Sequence, residues 1–104
     1  MRYLETTHYF ILLALAEGAN YGYYISDQMI GDSVGAVYLR PSSLYDALKT
    51  LEKSGHIERL AGPEGKTTRK SYRLTEFGLR QLVSAAHMHE RAARLSRSRL
   101  GARY

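Results

Sequence analysis

Cysteine is absent from this chain of 104 residues. Its absence removes disulfides, thiolate zinc sites and thiol nucleophiles together, and accords with a reducing compartment. Long apolar runs are also missing. The longest, residues 10–16 (FILLALA), is too short to cross a bilayer and has no basic flank beyond Arg2. A soluble, cytoplasmic protein with no membrane partner is therefore expected. The chain holds no internal repeat, no low-complexity tract and no linker, and its length suits a single domain. A domain this small buries a modest share of its surface, which leaves room for a partner subunit to contribute stability.

Groups for chemistry are scarce as well. There is no Ser–His–acid grouping with a nucleophile turn and no pair of carboxylates in a plausible cleft, so neither catalysis nor a cofactor is expected. Residues 62–67 (GPEGKT) faintly resemble a phosphate-binding loop. The spacing fails, because Leu60 stands where a glycine is needed, and the segment leads into a strand. His87 and His89 are two apart and do not share a helix face, so they make no metal site within one chain.

What is present is positive charge, unevenly placed. The net charge is +5, but residues 1–37 hold one Arg against Glu5, Glu17, Asp27 and Asp32. Residues 38–74 hold eight basic and four acidic side chains, and residues 75–104 hold six Arg against Glu76 and Glu90. The polyanion signal thus lies in the middle and the tail.

Periodicity places the elements. A first helix is expected over 7–17, capped by Thr6 or Thr7, stopped by Gly18 and apolar nearly all round, as a central buried helix would be. A second spans 21–30, with Asn20 as cap, Gly31 as stop and Gly22 in its first turn, where a missing side chain admits another backbone. Tyr21, Tyr23 and Tyr24 cluster on it, which core packing plus a phosphate contact explains. Residues 31–36 read as a loop. Val37, Tyr38 and Leu39 read as one short strand. A third helix covers 41–54, with Pro41 at its first position and Gly55 after it. Its Leu44, Ala47, Leu48 and Leu51 form one apolar stripe. The period then falls to two. Residues 56–61 and 69–74 form a hairpin around Gly62-Pro63-Glu64-Gly65. Thr75 caps a final helix over 76–100.

This order gives the α+β, mainly α, winged helix-turn-helix fold: residues 1–74 as the winged domain, and residues 75–104 as a long C-terminal dimerisation helix of the same compact unit. The third helix has its inner face tied to a core and its outer face free, as major-groove reading requires. On that outer face Ser42, Ser43, Tyr45 and Lys49 are the candidate DNA contacts, and Asp46 faces a cytosine amino group, a neighbouring Lys or solvent. The hairpin adds Lys66, Thr67, Thr68, Arg69 and Lys70, which suit the phosphate backbone or the minor groove. The last helix is longer than the small core can cover. Its Leu79, Leu82, Val83, Ala86, His89 and Ala93 need a second surface, and a copy of the chain is the simplest one.

Three segments carry a family likeness: residues 10–18 (FILLALAEG) followed by Tyr21-Gly22-Tyr23, residues 41–58 (PSSLYDALKTLEKSGHIE), and residues 69–78 (RKSYRLTEFG). Together they resemble PadR-family regulators over roughly residues 8–90. The resemblance implies a homodimeric repressor that binds double-stranded DNA at a palindromic operator through the third helix and the wing. It implies dimerisation through the C-terminal helix with help from the first. It points to the short-tailed members, some of which hold planar apolar ligands between aromatic side chains of that helix. This chain has no Phe, Tyr or Trp between Phe77 and Tyr104, and His89 stands where such an aromatic belongs. A small-molecule effector is thus left without a defined type. Arg40 stands where the family often has a Ser-type cap. The alternative reading is a winged-helix protein-interaction module without specific DNA reading, suggested by Asp46 and the acidic first third.

Overall fold

Four helices and three short strands make up the computed structural model, which describes residues 4–60 and 70–103. They run in the order α1 (Thr6–Ala14), β1 (Asn20–Tyr21), α2 (Gly22–Asp32), α3 (Pro41–Lys53), β2 (Ile57–Leu60), β3 (Ser71–Leu74) and α4 (Glu76–Leu100), with a closing 3-10 turn over Gly101–Arg103. This is the α+β, mainly helical, winged-helix arrangement expected. No described helix is long and apolar enough to cross a membrane.

Ile11, Leu12 and Leu15 of the first helical segment meet Ile25 and Met29 of α2, Leu44, Leu48 and Leu51 of α3, Ile57 of β2 and Tyr72 of β3 in one core. The three leucines of α3 sit where a 3.6-residue period puts them. α1 is less central than its composition suggests. Tyr9, Phe10, Leu13 and Ala14 are only partly buried, so one flank of α1 stays open in the single chain. It also starts without a side-chain cap, with Glu5 at that position and both threonines inside the first turn. Its α-helical bonds end at Ala14. Tighter bonds from Leu15 N to Leu12 O (3.0 Å) and Ala16 N to Leu13 O (3.1 Å) carry the chain on, and turn Leu15 into the core.

The sheet corrects one expectation. Its order is β1-β3-β2, all antiparallel, with Asn20 opposite Tyr72 and Tyr21 opposite Ser71. The third strand is therefore residues 20–21, and residues 37–39 form no strand. The latter are tied elsewhere: the Val37 N–H donates to Ser33 Oγ at 2.8 Å, and Val37 and Leu39 pack against the core. Asn20 accordingly does not cap α2; its Oδ1 accepts from the Tyr21 N–H at 2.9 Å.

The ends of α2 and α3 use one device. In α3 the His56 N–H bonds to Leu51 O (2.9 Å) and the Gly55 N–H to Glu52 O (3.1 Å), with Gly55 at φ 84°. This is a Schellman closure around a left-handed glycine. In α2 the Gly35 N–H bonds to Ile30 O (2.8 Å) and the Val34 N–H to Gly31 O (3.2 Å). Here the left-handed position is held by Val34, at φ 53° and 93% exposed, and the helix runs through Gly31 to Asp32. A β-branched residue in that conformation is strained. Val34→Gly is expected to stabilise the fold by about 0.5–1 kcal/mol, relief of strain outweighing the glycine's added entropy in the unfolded chain. Urea denaturation measures this, and a lower midpoint would contradict it.

The junction into α4 is tightly drawn. Thr75 Oγ1 accepts from the Gly78 N–H at 3.0 Å and donates to the Gly55 and His56 carbonyls, while the Thr75 N–H donates to His56 O at 3.1 Å. The first turn of α4 is thereby pinned to the strand that follows α3. The His56 ring lies 4.8 Å from Phe77, and its Nδ1 is 2.7 Å from Ser54 Oγ. Burial pushes the His56 imidazole below its ordinary pKa, and His8 adds to this.

Candidate nucleic-acid interface

α3 presents two faces. Leu44, Leu48 and Leu51 anchor it, and Ser42, Ser43, Tyr45, Asp46, Lys49 and Lys53 are exposed. Asp46, Lys49 and Lys53 form no ion pair among the described residues. Two ammonium groups and short hydroxyls are thus held on a rigid helix and left unneutralised. Arg40 occupies the cap position and makes no side-chain cap bond. Pro41 suits the first helical position, because its fixed φ matches the helix and its missing N–H has no partner there.

Tyr45 is placed differently from its serine and lysine neighbours. Its ring leans on α2, and a Cβ added to Gly22 would lie 3.2 Å from both Tyr45 Cε1 and Tyr45 Oη. The missing side chain at position 22 therefore admits an aromatic ring, not another backbone as the sequence suggested. The Gly22 N–H points to Lys70 O at 3.4 Å, which ties the start of α2 to the base of the hairpin. Tyr21, Gly22, Tyr23, Tyr24, Tyr45 and Lys70 together line a cleft of about 190 Å³.

The described part of the hairpin is its base. β2 and β3 pair with Ile57 opposite Leu74 and Leu60 opposite Ser71. Lys70 is exposed beside α2. Lys66, Thr67, Thr68 and Arg69 lie outside the described residues. Two other cations of the sheet are already engaged: Arg73 pairs with Glu58 across the strands at 3.1 Å, and Arg59 lies 3.9 Å from Glu52.

Tyr23 and Tyr24 are the residues that sequence reasoning undervalued. Tyr23 is 68% exposed and Tyr24 is also exposed, so core packing does not account for them. Their signal was the run of three tyrosines around Gly22; what was missing was the direction in which they face.

The apolar stripe of α4 divides into two parts. Leu82 is 7% exposed and, with Ala85, belongs to the chain's own core. His89 is partly buried with its ring 4.5 Å from Tyr9, and its Nε2 has no hydrogen-bond partner among the described residues. Leu79 and Val83 are 50% and 48% exposed, Ala86 is partly covered and Ala93 is exposed. Leu82 and His89 therefore face inward, while Leu79 and Val83 are left open. The helix is about 37 Å long at 1.5 Å per residue. Its second half leaves the core behind and draws the molecule out to 58 Å along its longest axis.

A family model described as the transcriptional regulator PadR-like family matches residues 11–84. No curated protein matches the chain. Among solved structures, a transcriptional regulator from Clostridium thermocellum is 29% identical with a TM-score of 0.74, over 88% of this chain and 87% of that one. Bacillus subtilis PadR, solved in complex with operator DNA, is 27% identical with a TM-score of 0.66, over 77% of this chain and 46% of that one. A PadR family regulator from Clostridium difficile shares the fold with a TM-score of 0.78 at 24% identity, over 93% of this chain and 100% of that one. With the family model spanning most of the core, all three strands and the first third of α4, the chain belongs to the PadR-like family of transcriptional regulators.

Proposed function

We propose that the chain acts in the cytoplasm as a homodimeric repressor that binds a palindromic operator in double-stranded DNA. One observation carries the reading: an anchored helix, α3, presents Ser42, Ser43 and Lys49 outward beside the base of a basic hairpin. The B. subtilis relative, solved with operator DNA, supports it. In this reading the N-terminal end of α3 enters the major groove. Lys49 reads base edges or the adjoining phosphate, and the wing, with Lys66, Thr67, Thr68, Arg69 and Lys70, follows the backbone.

The dimer reading rests on α4. Leu79 and Val83 leave apolar surface open on α4, which packs on α1, and Phe10 and Leu13 of α1 are themselves only partly covered. A second copy applied there covers both helices and uses the length of α4 beyond the core. Two recognition helices related by a two-fold axis then address half-sites about one helical turn apart, roughly 34–36 Å.

Selection of bound duplexes from a random DNA pool tests the function and supplies the operator. Retention of no duplex at micromolar protein and low salt would favour the protein-interaction module instead. With a selected duplex in hand, replacing Lys66, Arg69 and Lys70 by Ala is expected to flatten the log–log salt dependence by about 2.7 per half-site, about 5.4 for the dimer on its operator, at about 0.9 for each phosphate no longer neutralised. Random and selected duplexes should weaken together. Lys49→Ala should instead narrow the gap between them, as measured by fluorescence anisotropy. In vitro transcription from a template carrying the site, lowered by added protein, tests the repressor role.

A further inference from the structure

We infer that the tyrosine-lined cleft between α2, α3 and the hairpin base seats one backbone phosphate of the DNA, with Tyr23, Tyr24 and Tyr45 as hydroxyl donors and Lys70 as its cation. The inference rests on the DNA-binding reading above and names a contact point within it. Several observations converge on that cleft. It has a volume of about 190 Å³ and is walled by these four side chains with Tyr21 and Gly22. It lies between the two elements assigned to DNA, since Tyr45 comes from α3 and Lys70 from the base of the wing.

The aromatic rings brace one another. Tyr23 meets Tyr24 edge to face at 5.3 Å between centroids, and Tyr21 lies 6.4 Å from Tyr24. The hydroxyls of Tyr23 and Tyr24 have no hydrogen-bond partner among the described residues, and Lys70 has no acidic partner there. Rings held against one another in this way have less side-chain freedom to lose when a ligand arrives.

Chemistry selects the occupant. Phenolic O–H groups donate and an ammonium donates, so the cleft offers donors and positive charge with no carboxylate among the described residues that line it. A phosphodiester oxygen is the matching acceptor on the macromolecule that α3 and the wing address. The placement also narrows the role of Tyr45. Gly22 leaves the room that the Tyr45 ring occupies, with its hydroxyl beside Gly22 in the lining of the cleft. Tyr45 becomes a positioning contact that sets the depth and register of α3 without reading sequence.

The test crosses a protein change with a phosphate change. Tyr23→Phe/Tyr24→Phe keeps both rings and removes only hydroxyls, so the fold is retained and is verified by circular dichroism. Against a selected duplex this double variant is expected to bind about 10-fold more weakly with an unchanged salt slope, because no charge has been removed. Lys70→Gln is expected to lower the slope by about 0.9 per half-site, about 1.8 for the dimer. A series of duplexes then carries a single neutral methylphosphonate at each backbone position in turn. Wild-type protein should lose about 10-fold at one phosphate per half-site, and the loss at that phosphate should shrink below about threefold in both variants. Variants that bind as tightly as wild type, or that keep the full interference profile, would overturn the cleft assignment and leave the DNA reading standing. Failure of the wild type to bind any duplex at low salt would overturn the DNA reading and the cleft with it.

Discussion

Gly78→Ala is expected to cost about 3 kcal/mol of stability, the upper end for overpacking a well-packed site. The cause is backbone against backbone. A Cβ at position 78 would sit inside the contact radius of the His56 carbonyl oxygen, with the carbonyl carbon 2.9 Å away and the His56 Cα 3.3 Å away. No rotamer change relieves that collision, because nothing at the far end of a flexible side chain is involved. The strand end is held in place by Thr75, whose N–H and hydroxyl both bond to the same carbonyl. Relief requires the first turn of α4 to lift off the sheet, and that would break the Thr75 cap on the Gly78 N–H. Gly31→Ala is the matched control. Gly31 is also helical and has nothing within 4 Å of an added Cβ, so the change should stabilise by about 0.5–1 kcal/mol through helix propensity. Urea denaturation of the two variants should move the midpoint in opposite directions. Equal, mild effects would show that the His56 contact is not tight.

The second large effect concerns assembly. Leu79→Glu/Val83→Glu is expected to weaken the dimer by about a thousandfold, since it sets like charges against each other across the proposed interface. Operator affinity should fall by about a hundredfold or more, because the two half-sites are no longer bound through linked subunits. The single-chain fold should survive, because both side chains are about half exposed there and neither belongs to the core. Leu82→Glu would behave differently. Leu82 packs in the core, so a carboxylate there destabilises the protomer itself and reports nothing about the dimer. Deleting α4 outright has the same defect, since it removes Leu82 and Ala85 from the core. Sedimentation velocity at micromolar concentration, with thermal melting in parallel, separates the two outcomes. A Leu79→Glu/Val83→Glu protein that still sediments as a dimer would place the interface elsewhere.

Much of the interface is legible in the sequence. The leucine spacing in α3 assigns its inner and outer faces, and the structure places Leu44, Leu48 and Leu51 inside and Ser42, Ser43 and Lys49 outside. The same spacing sends Tyr45 outward too, but its bearing depends on Gly22, 23 positions away in the chain and brought alongside only by folding. Gly78 stands within a recognised segment without a role, because the carbonyl that forbids a side chain there belongs to His56. The stripe on α4 reads as one surface because Leu79, Leu82 and Val83 fall close together on a helical projection. The roll of α4 against α1, which turns Leu82 and His89 inward, divides it.

The sequence by itself determined the features that depend on neighbouring residues: the two-faced α3, its stop at Gly55, the cap at Thr75 and the succession of the four helices. Hydrogen bonds and side-chain periods that act within one or two turns are sufficient for these. Only the tertiary structure decided that residues 20–21, and not 37–39, take the free edge of β3, that Tyr45 turns toward α2, and that α4 leaves Leu79 and Val83 open. Composition alone left each of these open. The choice was made by packing between residues distant in the chain, where the register of a strand and the rotation of a helix are set by what lies against them.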